Sequence, residues 1–176
     1  MKLEKGIIQV YTGEGKGKTT AATGLAIRAA GQDLKVGFFQ FFKRHSSGEI
    51  KILKRIKNIK VYHFSSSHPS FQHFTKGDLE NFRKKFKKEW EEVCRLIRRK
   101  NFDVVILDEI LIAVRDKFLP EKMLLKLMEE KPKNLELVLT GRFITKKILE
   151  KAELITEMKP VKHPFPVIKA RKGIEY

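Results

Sequence analysis

The sequence predicts an α/β protein in which a mostly parallel sheet lies between two layers of helices, a three-layer α/β/α sandwich. Short apolar segments of strand length alternate along the chain with segments that have helical periodicity. Several of the strand segments are nearly continuous apolar runs, which is typical of strands buried on both faces of a parallel sheet. A glycine-rich run also separates the first strand segment from the first helical one.

The strand signal occurs in six segments, which are residues 6–11, 35–41, 60–63, 104–107, 135–139 and 153–156. Parallel strands need crossover segments, and helices are predicted at Lys18–Ala30 and at residues 78–99, 120–130 and 145–151. The helix at 78–99 has apolar residues at steps of three and four, which indicates a face that packs on the sheet. The irregular stretch at 64–76 is typical of a functional loop. Together these segments predict one domain over residues 1–176.

The composition favours a protein with an anionic partner. The chain has 176 residues and a formal net charge of +17, from 38 Lys and Arg against 21 Asp and Glu. This excess fits a nucleotide or a nucleic acid, although a solvated lysine-rich surface gives the same composition. Cys94 is the only cysteine, so no disulfide can form within the chain, which fits a reducing cytoplasm. The sequence has no signal-peptide pattern and no apolar run of membrane-spanning length, so we expect a cytoplasmic protein without a membrane partner.

The glycine-rich run reads Gly13-Glu14-Gly15-Lys16-Gly17-Lys18-Thr19-Thr20. Glycines let backbone N–H groups turn toward an anion, and the N-terminus of the following helix adds the positive end of its dipole. Lys18 supplies a charge for the outer phosphates, and the Thr19 hydroxyl can hold Mg²⁺. The usual pattern has a glycine where this chain has Thr12, and here Gly13 follows one position later. We interpret the run as a nucleotide site.

Polar residues follow two other predicted strands, at the edge where ligands bind in such sheets. Residues 104–107 lead into Asp108 and Glu109. Because adjacent strand residues point to opposite faces, one carboxylate is expected to address a metal on Thr19 and the other to orient its neighbours or turn toward the ligand. A helix N-cap at Asp108 is the alternative. Residues 135–139 lead into Thr140-Gly141-Arg142, where the guanidinium can reach phosphates or form a surface salt bridge.

These residues alone do not decide which reaction the site catalyses. No serine, cysteine or lysine nucleophile with a paired base is evident, and the histidines lack the spacing of a zinc site. The sequence therefore offers a triphosphate holder without a protein nucleophile. Phosphoryl transfer to a small acceptor, ATP hydrolysis coupled to motion, and displacement by a bound cofactor all fit.

The motifs recur in the order of one known family and cover nearly the whole chain. They are residues 12–22 (TGEGKGKTTAA), Gln40-Phe41 with Lys43, Gly48-Glu49, residues 104–109 (VVILDE), Thr140-Gly141-Arg142 and residues 159–176 (KPVKHPFPVIKARKGIEY). With these segments the chain resembles the P-loop ATP:corrinoid adenosyltransferases, also called cob(I)alamin adenosyltransferases. The displaced glycine, together with the KHPF and KGIEY segments, makes the resemblance far more specific than the phosphate loop alone.

The resemblance implies transfer of the 5′-deoxyadenosyl group of ATP to the Co(I) of a reduced corrinoid, with release of triphosphate, in adenosylcobalamin synthesis or salvage. The cobalt would itself be the nucleophile, which accounts for the missing protein nucleophile. In this family the nucleotide is understood to lie reversed relative to ordinary P-loop NTPases. The resemblance further implies Mg²⁺ or Mn²⁺ as a cofactor, a reductase or flavodoxin as electron donor, a homodimer, and no nucleic-acid partner.

The family's functional residues carry over onto matching positions of this chain. Nucleotide binding is assigned to Gly13, Gly15, Lys16, Gly17, Lys18, Thr19, Thr20 and Arg142. Metal coordination is assigned to Thr19 and Glu109, and catalytic roles to Lys18, Asp108 and Glu109, with Asp108 as the close supporter of the metal site. Some family members place a Phe and a Trp in the loop after the third strand, where this chain offers His68 or Phe71.

Two other functions stand as alternatives. A nucleic-acid-stimulated P-loop ATPase would fit the charge of +17 and predicts salt-sensitive binding of DNA or RNA. A nucleotide-dependent corrinoid carrier would bind ATP and cobalamin without turnover.

Overall fold

Six parallel strands form the centre of the molecule. The structure, a computed structural model, describes residues 3–43, 47–64, 68–69, 74–164 and 166–175. The strands are β1 (Ile8–Thr12), β2 (Val36–Phe41), β3 (Ile59–Phe64), β4 (Val104–Asp108), β5 (Glu136–Thr140) and β6 (Leu154–Glu157). They lie in the order β3-β2-β4-β5-β1-β6, and all pairings among these strands are parallel.

Helices cover both faces of the sheet. They are α1 (Lys18–Ala30), α2 (Gly48–Leu53), α3 (Lys76–Lys100), α4 (Ile110–Arg115), α5 (Glu121–Glu130) and α6 (Lys146–Lys151). One core cluster joins α1 and α2 to the sheet, and a larger one joins α3, α4, α5 and α6 to the opposite face. The predicted three-layer α/β/α sandwich with a parallel sheet is therefore confirmed.

The alternation of side chains along β4 decides what faces α1. Val104 and Ile106 belong to the core cluster on the α1 side, whereas Val105 and Leu107 belong to the cluster on the other side. The period of two places Asp108 on the α1 face. The carboxylate at the end of β4 is thereby directed toward the first turn of α1.

The predicted elements are present, with shifts at their ends that have local causes. The predicted helix at 78–99 begins earlier, at Lys76, because Thr75 is its N-cap and forms a capping box with Asp78. Neither α2 nor α4 was predicted, because both are short and α4 begins with an unbroken apolar run that carries no helical periodicity. In the described part of the chain, no helix combines the length and apolarity needed to cross a membrane.

Candidate active site

The glycine-rich loop connects the end of β1 to the start of α1 and packs against the chain after β6. Gly13 and Gly17 have φ values of 98° and 124°, a region that side chains rarely adopt. The Gly15 amide donates to the Met158 carbonyl at 2.7 Å, and a Cβ on Gly13 would lie 2.5 Å from the same oxygen. Thr12 is the last residue of β1 and pairs with Glu157 of β6. The close approach of the Met158 carbonyl therefore requires a glycine at position 13.

Lys18 holds the loop from inside. Its Nζ donates to the carbonyl oxygens of Gly13 at 2.6 Å and Gly15 at 2.7 Å. Burial lowers the pKa of the ammonium group, and the nearby Glu109 carboxylate opposes this effect. The loop carbonyls thus fix a buried positive charge beneath the surface that the phosphate loop presents.

Asp108 is the centre of a hydrogen-bonded cluster between α1 and the strand ends. Its side chain is fully buried, and its Oδ1 accepts from the Thr19 hydroxyl at 2.9 Å and the Thr140 hydroxyl at 2.8 Å. Oδ2 accepts from Gln40 Nε2 at 3.3 Å and lies 3.2 Å from Lys43 Nζ. Gln40 pairs with Asp108 in the sheet, so the cluster follows directly from strand register.

Thr140 connects the two carboxylates of the site. Its hydroxyl donates to Asp108 and accepts from the Glu109 amide at 2.9 Å. β4 ends at Asp108, and Glu109 then turns with a φ of 67° to occupy the N-cap position of α4 without a side-chain capping bond. The alternative in which Asp108 caps the helix is therefore wrong. The turn directs both successive carboxylates to the same region.

One carboxylate oxygen of Glu109 is buried inside the site. This oxygen, Oε2, has no hydrogen-bond partner among the residues that the structure describes. Burial raises the pKa of this carboxyl, and the Asp108 charge raises it further, while Lys43 and Lys18 act in the opposite direction. Removing an ionised carboxylate from water without a partner is costly, so a cation beside this oxygen would stabilise the charged form.

The residues at this point fit a hard divalent cation. Lys43 Nζ donates to the Thr19 hydroxyl at 2.6 Å and lies beside Asp108 at 3.2 Å and Glu49 at 3.9 Å. A positive charge thus already lies where a hydroxyl and a carboxylate converge. Hydroxyl, carboxylate and phosphate oxygens are the ligands that Mg²⁺ prefers, and the unpartnered oxygen of Glu109 adds a further donor.

The outer cations of the site are paired with exposed carboxylates. Lys16 Nζ lies 2.9 Å from Glu175 Oε1, and Arg142 Nη1 lies 3.3 Å from Glu14 Oε2. Arg142 therefore forms the surface salt bridge that was the alternative to phosphate contact, at the edge of the phosphate loop. Both pairs are solvent-exposed, and such pairs are worth ~1 kcal/mol or less.

One cavity of ≈ 280 Å³ brings most of the predicted residues together. It is lined by the loop from Glu14 to Thr20 and by Lys43, Glu109 and Arg142, with His163, Ile174 and Glu175 at its edge. Of the predicted site residues, Gly13 and Asp108 lie outside this lining. Gly13 packs against Met158, and Asp108 contacts the Thr19 side chain.

A second cavity, of ≈ 310 Å³, adjoins the first and shares Lys43, Glu109 and Arg142 with it. Its other lining residues are Phe42, His68, Ile112 and Arg115. His68 Nε2 lies 2.6 Å from Asp116 Oδ2, and the ring meets Phe42 and Phe118 in edge-to-face contacts. His68, a candidate from the loop after the third strand, therefore borders this cavity, whereas Phe71 lies outside the described residues.

Sequence reasoning assigned no role to four residues of the site. Thr140 ends β5 and Gln40 precedes the last residue of β2. Both lie on the same face as Asp108, so strand alternation could have identified them. Lys43 was noted only as part of a family motif, and Glu175 only as part of the KGIEY segment. No local pattern could have paired Glu175 with Lys16, because the two are 159 positions apart.

Comparison with known proteins identifies the family. The sequence model described as "ATP:corrinoid adenosyltransferase BtuR/CobO/CobP" matches residues 4–176. The chain belongs to this family. It is 36% identical to the corrinoid adenosyltransferase of Escherichia coli (strain K12) over 175 residues, which covers 98% of this chain and 87% of that protein.

Other members of the family show the same extent of similarity. The chain is 34% identical to the corrinoid adenosyltransferase of Pseudomonas aeruginosa over 98% of its own length and 85% of that protein. It is also 34% identical to the corrinoid adenosyltransferase CobA of Salmonella typhimurium, over 98% and 87% of the two chains. The resemblance drawn from the motifs is confirmed.

A solved structure supports the fold. The KaiC-like protein PH0186 of Pyrococcus horikoshii OT3 superimposes with a TM-score of 0.58, covering 88% of this chain and 72% of that one. The two chains are only 18% identical, so this likeness concerns the arrangement of strands and helices and not the activity.

Proposed function

We propose that this adenosyltransferase moves the 5′-deoxyadenosyl group of ATP onto the reduced cobalt of a corrinoid and releases triphosphate. The observation that carries the proposal is the pair of adjoining cavities that share Lys43, Glu109 and Arg142. One is built around a phosphate loop, and the other has an apolar wall that includes Phe42 and Ile112. This arrangement supports a triphosphate held beside a second substrate.

The protein's part in this reaction is to hold the leaving group. Attack of Co(I) on C5′ breaks the bond to the ester oxygen, and the triphosphate departs with the bonding electron pair. We assign the loop amides from Gly13 to Thr20 and the side chains of Lys16 and Lys18 to the stabilisation of that charge. We assign Arg142 a contact with the triphosphate at the outer edge of the site, once its ion pair with Glu14 has opened.

We assign the metal to Thr19 and Glu109, with Asp108 in support. Thr19 is positioned by its hydrogen bond to Asp108, and Glu109 carries the unpartnered buried oxygen. Bound Mg²⁺ or Mn²⁺ would add positive charge beside the departing triphosphate. Lys43 would then leave the place that it holds between Thr19 and Asp108.

The second cavity is assigned to the corrinoid. Phe42 and Ile112 offer an apolar wall, and His68 is held in place by Asp116 and two phenylalanine rings. We propose that His68 takes the position at which some family members carry aromatic residues. The remaining proposals follow from the sequence and the family. The composition suggests one domain over residues 1–176, a cytoplasmic location and no membrane partner, and the family suggests a homodimer, an electron-donor reductase or flavodoxin, and no nucleic-acid partner.

The proposal is tested by mixing the protein with ATP, Mg²⁺ and chemically reduced cobalamin. The expected result is a light-sensitive cobalt–carbon product together with triphosphate. Lys18→Ala and Glu109→Ala should each lower the rate at least ~100-fold, because each removes charge stabilisation from the site. Lys146→Ala, on an exposed face of α6, is the matched control and should leave the rate unchanged.

Two outcomes would contradict the proposal, and a third would reject the role of a single residue. Release of orthophosphate without a cobalt–carbon product, particularly if DNA or RNA stimulates it, would favour a nucleic-acid-dependent ATPase. Binding of ATP and cobalamin without turnover would favour a carrier. Near-normal rates in Lys18→Ala or Glu109→Ala would reject the role assigned to that residue.

A further inference from the structure

A carboxylate from the end of the chain lies at the mouth of the phosphate cavity. Glu175 Oε1 accepts from Lys16 Nζ at 2.9 Å and from Arg171 Nη2 at 3.1 Å. Glu175 Oε2 accepts from the Arg171 amide at 2.7 Å and from Arg171 Nε at 3.3 Å. The carboxylate therefore occupies a position on Lys16 that an anionic ligand of the loop would need.

Each cation of the cavity is paired with an oxygen atom of the protein. Lys18 is held by loop carbonyls, Lys43 by Asp108, Arg142 by Glu14 and Lys16 by Glu175. Lys18 and Lys43 are anchored at the base of the site, whereas the other two pairs are exposed at its edge. A triphosphate entering the cavity must take Lys16 away from Glu175.

The conformation of the Glu175 side chain is set by the terminal segment itself as well as by Lys16. Arg171 contacts the carboxylate through its backbone amide and two side-chain nitrogens, and the Glu175 amide donates to the Arg171 carbonyl at 3.0 Å. These contacts form a closed turn within the terminal segment. Glu175 and its neighbour Ile174 also line a cavity with Thr19 and Thr20, so the carboxylate lies beside the loop and is placed to pair with Lys16 again when a phosphate leaves it.

We propose that Glu175 is an exchange residue for the triphosphate product: it pairs with Lys16 in the free enzyme and competes for Lys16 as the product leaves. This inference rests on the proposed function, because triphosphate is the product of that reaction. Exposed ion pairs are worth little, so the exchange is energetically inexpensive in both directions. Because the carboxylate competes with the product for Lys16, it weakens product binding and accelerates product release.

Arg171 and Lys16 also lower the pKa of the Glu175 carboxyl to about 2. The competing charge is therefore present across the whole range in which the enzyme could be assayed. A glutamine at this position keeps the size of the side chain and removes only the charge.

The test measures binding of inorganic tripolyphosphate with Mg²⁺ to the full chain by isothermal titration calorimetry. Glu175→Gln should bind about twofold to fivefold more tightly than the unmodified protein, and the difference should shrink as salt is raised. Glu150→Gln, which alters an exposed carboxylate of an α6 ion pair, is the matched control and should bind as the unmodified protein does.

Two further measurements distinguish competition for Lys16 from a purely structural role, in which Glu175 only attaches the terminal segment to the loop. In a Lys16→Gln background, the effect of Glu175→Gln should fall toward onefold, because the residue for which both anions compete is gone. Steady-state turnover should become more sensitive to added tripolyphosphate in Glu175→Gln than in the unmodified protein.

Unchanged or weaker tripolyphosphate binding in a folded Glu175→Gln protein would overturn the inference, since a purely structural carboxylate predicts that result. Failure of the proposed function has a different signature. In that case the unmodified protein forms no cobalt–carbon product, whatever the binding data show for Glu175→Gln.

Discussion

Replacing Thr140 by valine tests the buried cluster that positions both carboxylates. The Thr140 side chain is fully buried, donates to the Asp108 carboxylate at 2.8 Å and accepts from the Glu109 amide at 2.9 Å. Valine has nearly the same shape, so Thr140→Val opens no cavity. It removes a hydrogen bond to a charged group and leaves the Glu109 amide without its acceptor, and together these losses cost roughly 2–4 kcal/mol.

The matched control is Thr23→Val. The Thr23 hydroxyl oxygen is buried and has no hydrogen-bond partner among the described residues, so its replacement by a methyl group should not lower the free energy of unfolding. The assay is urea denaturation followed by circular dichroism, with thermal unfolding as a second measurement. At ~2–4 °C per kcal/mol, the midpoint of Thr140→Val should fall by roughly 5–15 °C. An unfolding free energy equal to that of Thr23→Val would refute the role given to the cluster.

Two other predictions concern Gly13 and Glu175. Gly13→Ala should weaken ATP binding at least ~10-fold, because Gly13 has a φ of 98° and an added Cβ would meet the Met158 carbonyl at 2.5 Å. Gly24→Ala, on an open face of α1, should keep ATP binding and raise stability by ~0.5–1 kcal/mol, and equal binding in both variants would contradict the loop geometry. The pKa of Glu175 is lowered from its ordinary 4.5 to about 2, so its ion pairs stabilise the fold above pH 4.5 and are lost as the pH falls toward 2. Carbon-13 NMR should show this titration near 2 and its return toward 4.5 in Arg171→Gln, and a titration at 4.5 in the unmodified protein would disprove the contact.

The fold was predictable because its strongest signals are local. Unbroken apolar strands and the intervening helices predicted the parallel sheet, and α1 runs from Lys18 to Ala30 as expected. The capping box at Thr75 and Asp78 was readable in the sequence, although the predicted helix began only at Asp78. α4 was missed because its apolar residues are consecutive, and a buried helix segment of that kind has no distinguishing period.

The candidate site was predictable only in part. Alternation along β4 predicted that one carboxylate would address the metal and that the other would orient its neighbours or turn toward the ligand, but the face covered by α1 is a tertiary property. The structure shows that Asp108 contacts Thr19 and that a left-handed turn brings Glu109 to the same region. The contact between Lys16 and Glu175 joins opposite ends of the chain, and such pairings leave no local trace in a sequence.

The stoichiometry of a single turnover tests most directly whether triphosphate is the leaving group. Excess protein is mixed with limiting ATP, Mg²⁺ and reduced cobalamin, the cobalt–carbon product is measured by its light-sensitive absorbance, and the phosphorus products are resolved by phosphorus-31 NMR. If the loop holds triphosphate as the leaving group, one intact triphosphate should appear for each cobalt–carbon bond that forms. Diphosphate or orthophosphate as the primary product, or phosphate release without that bond, would contradict it.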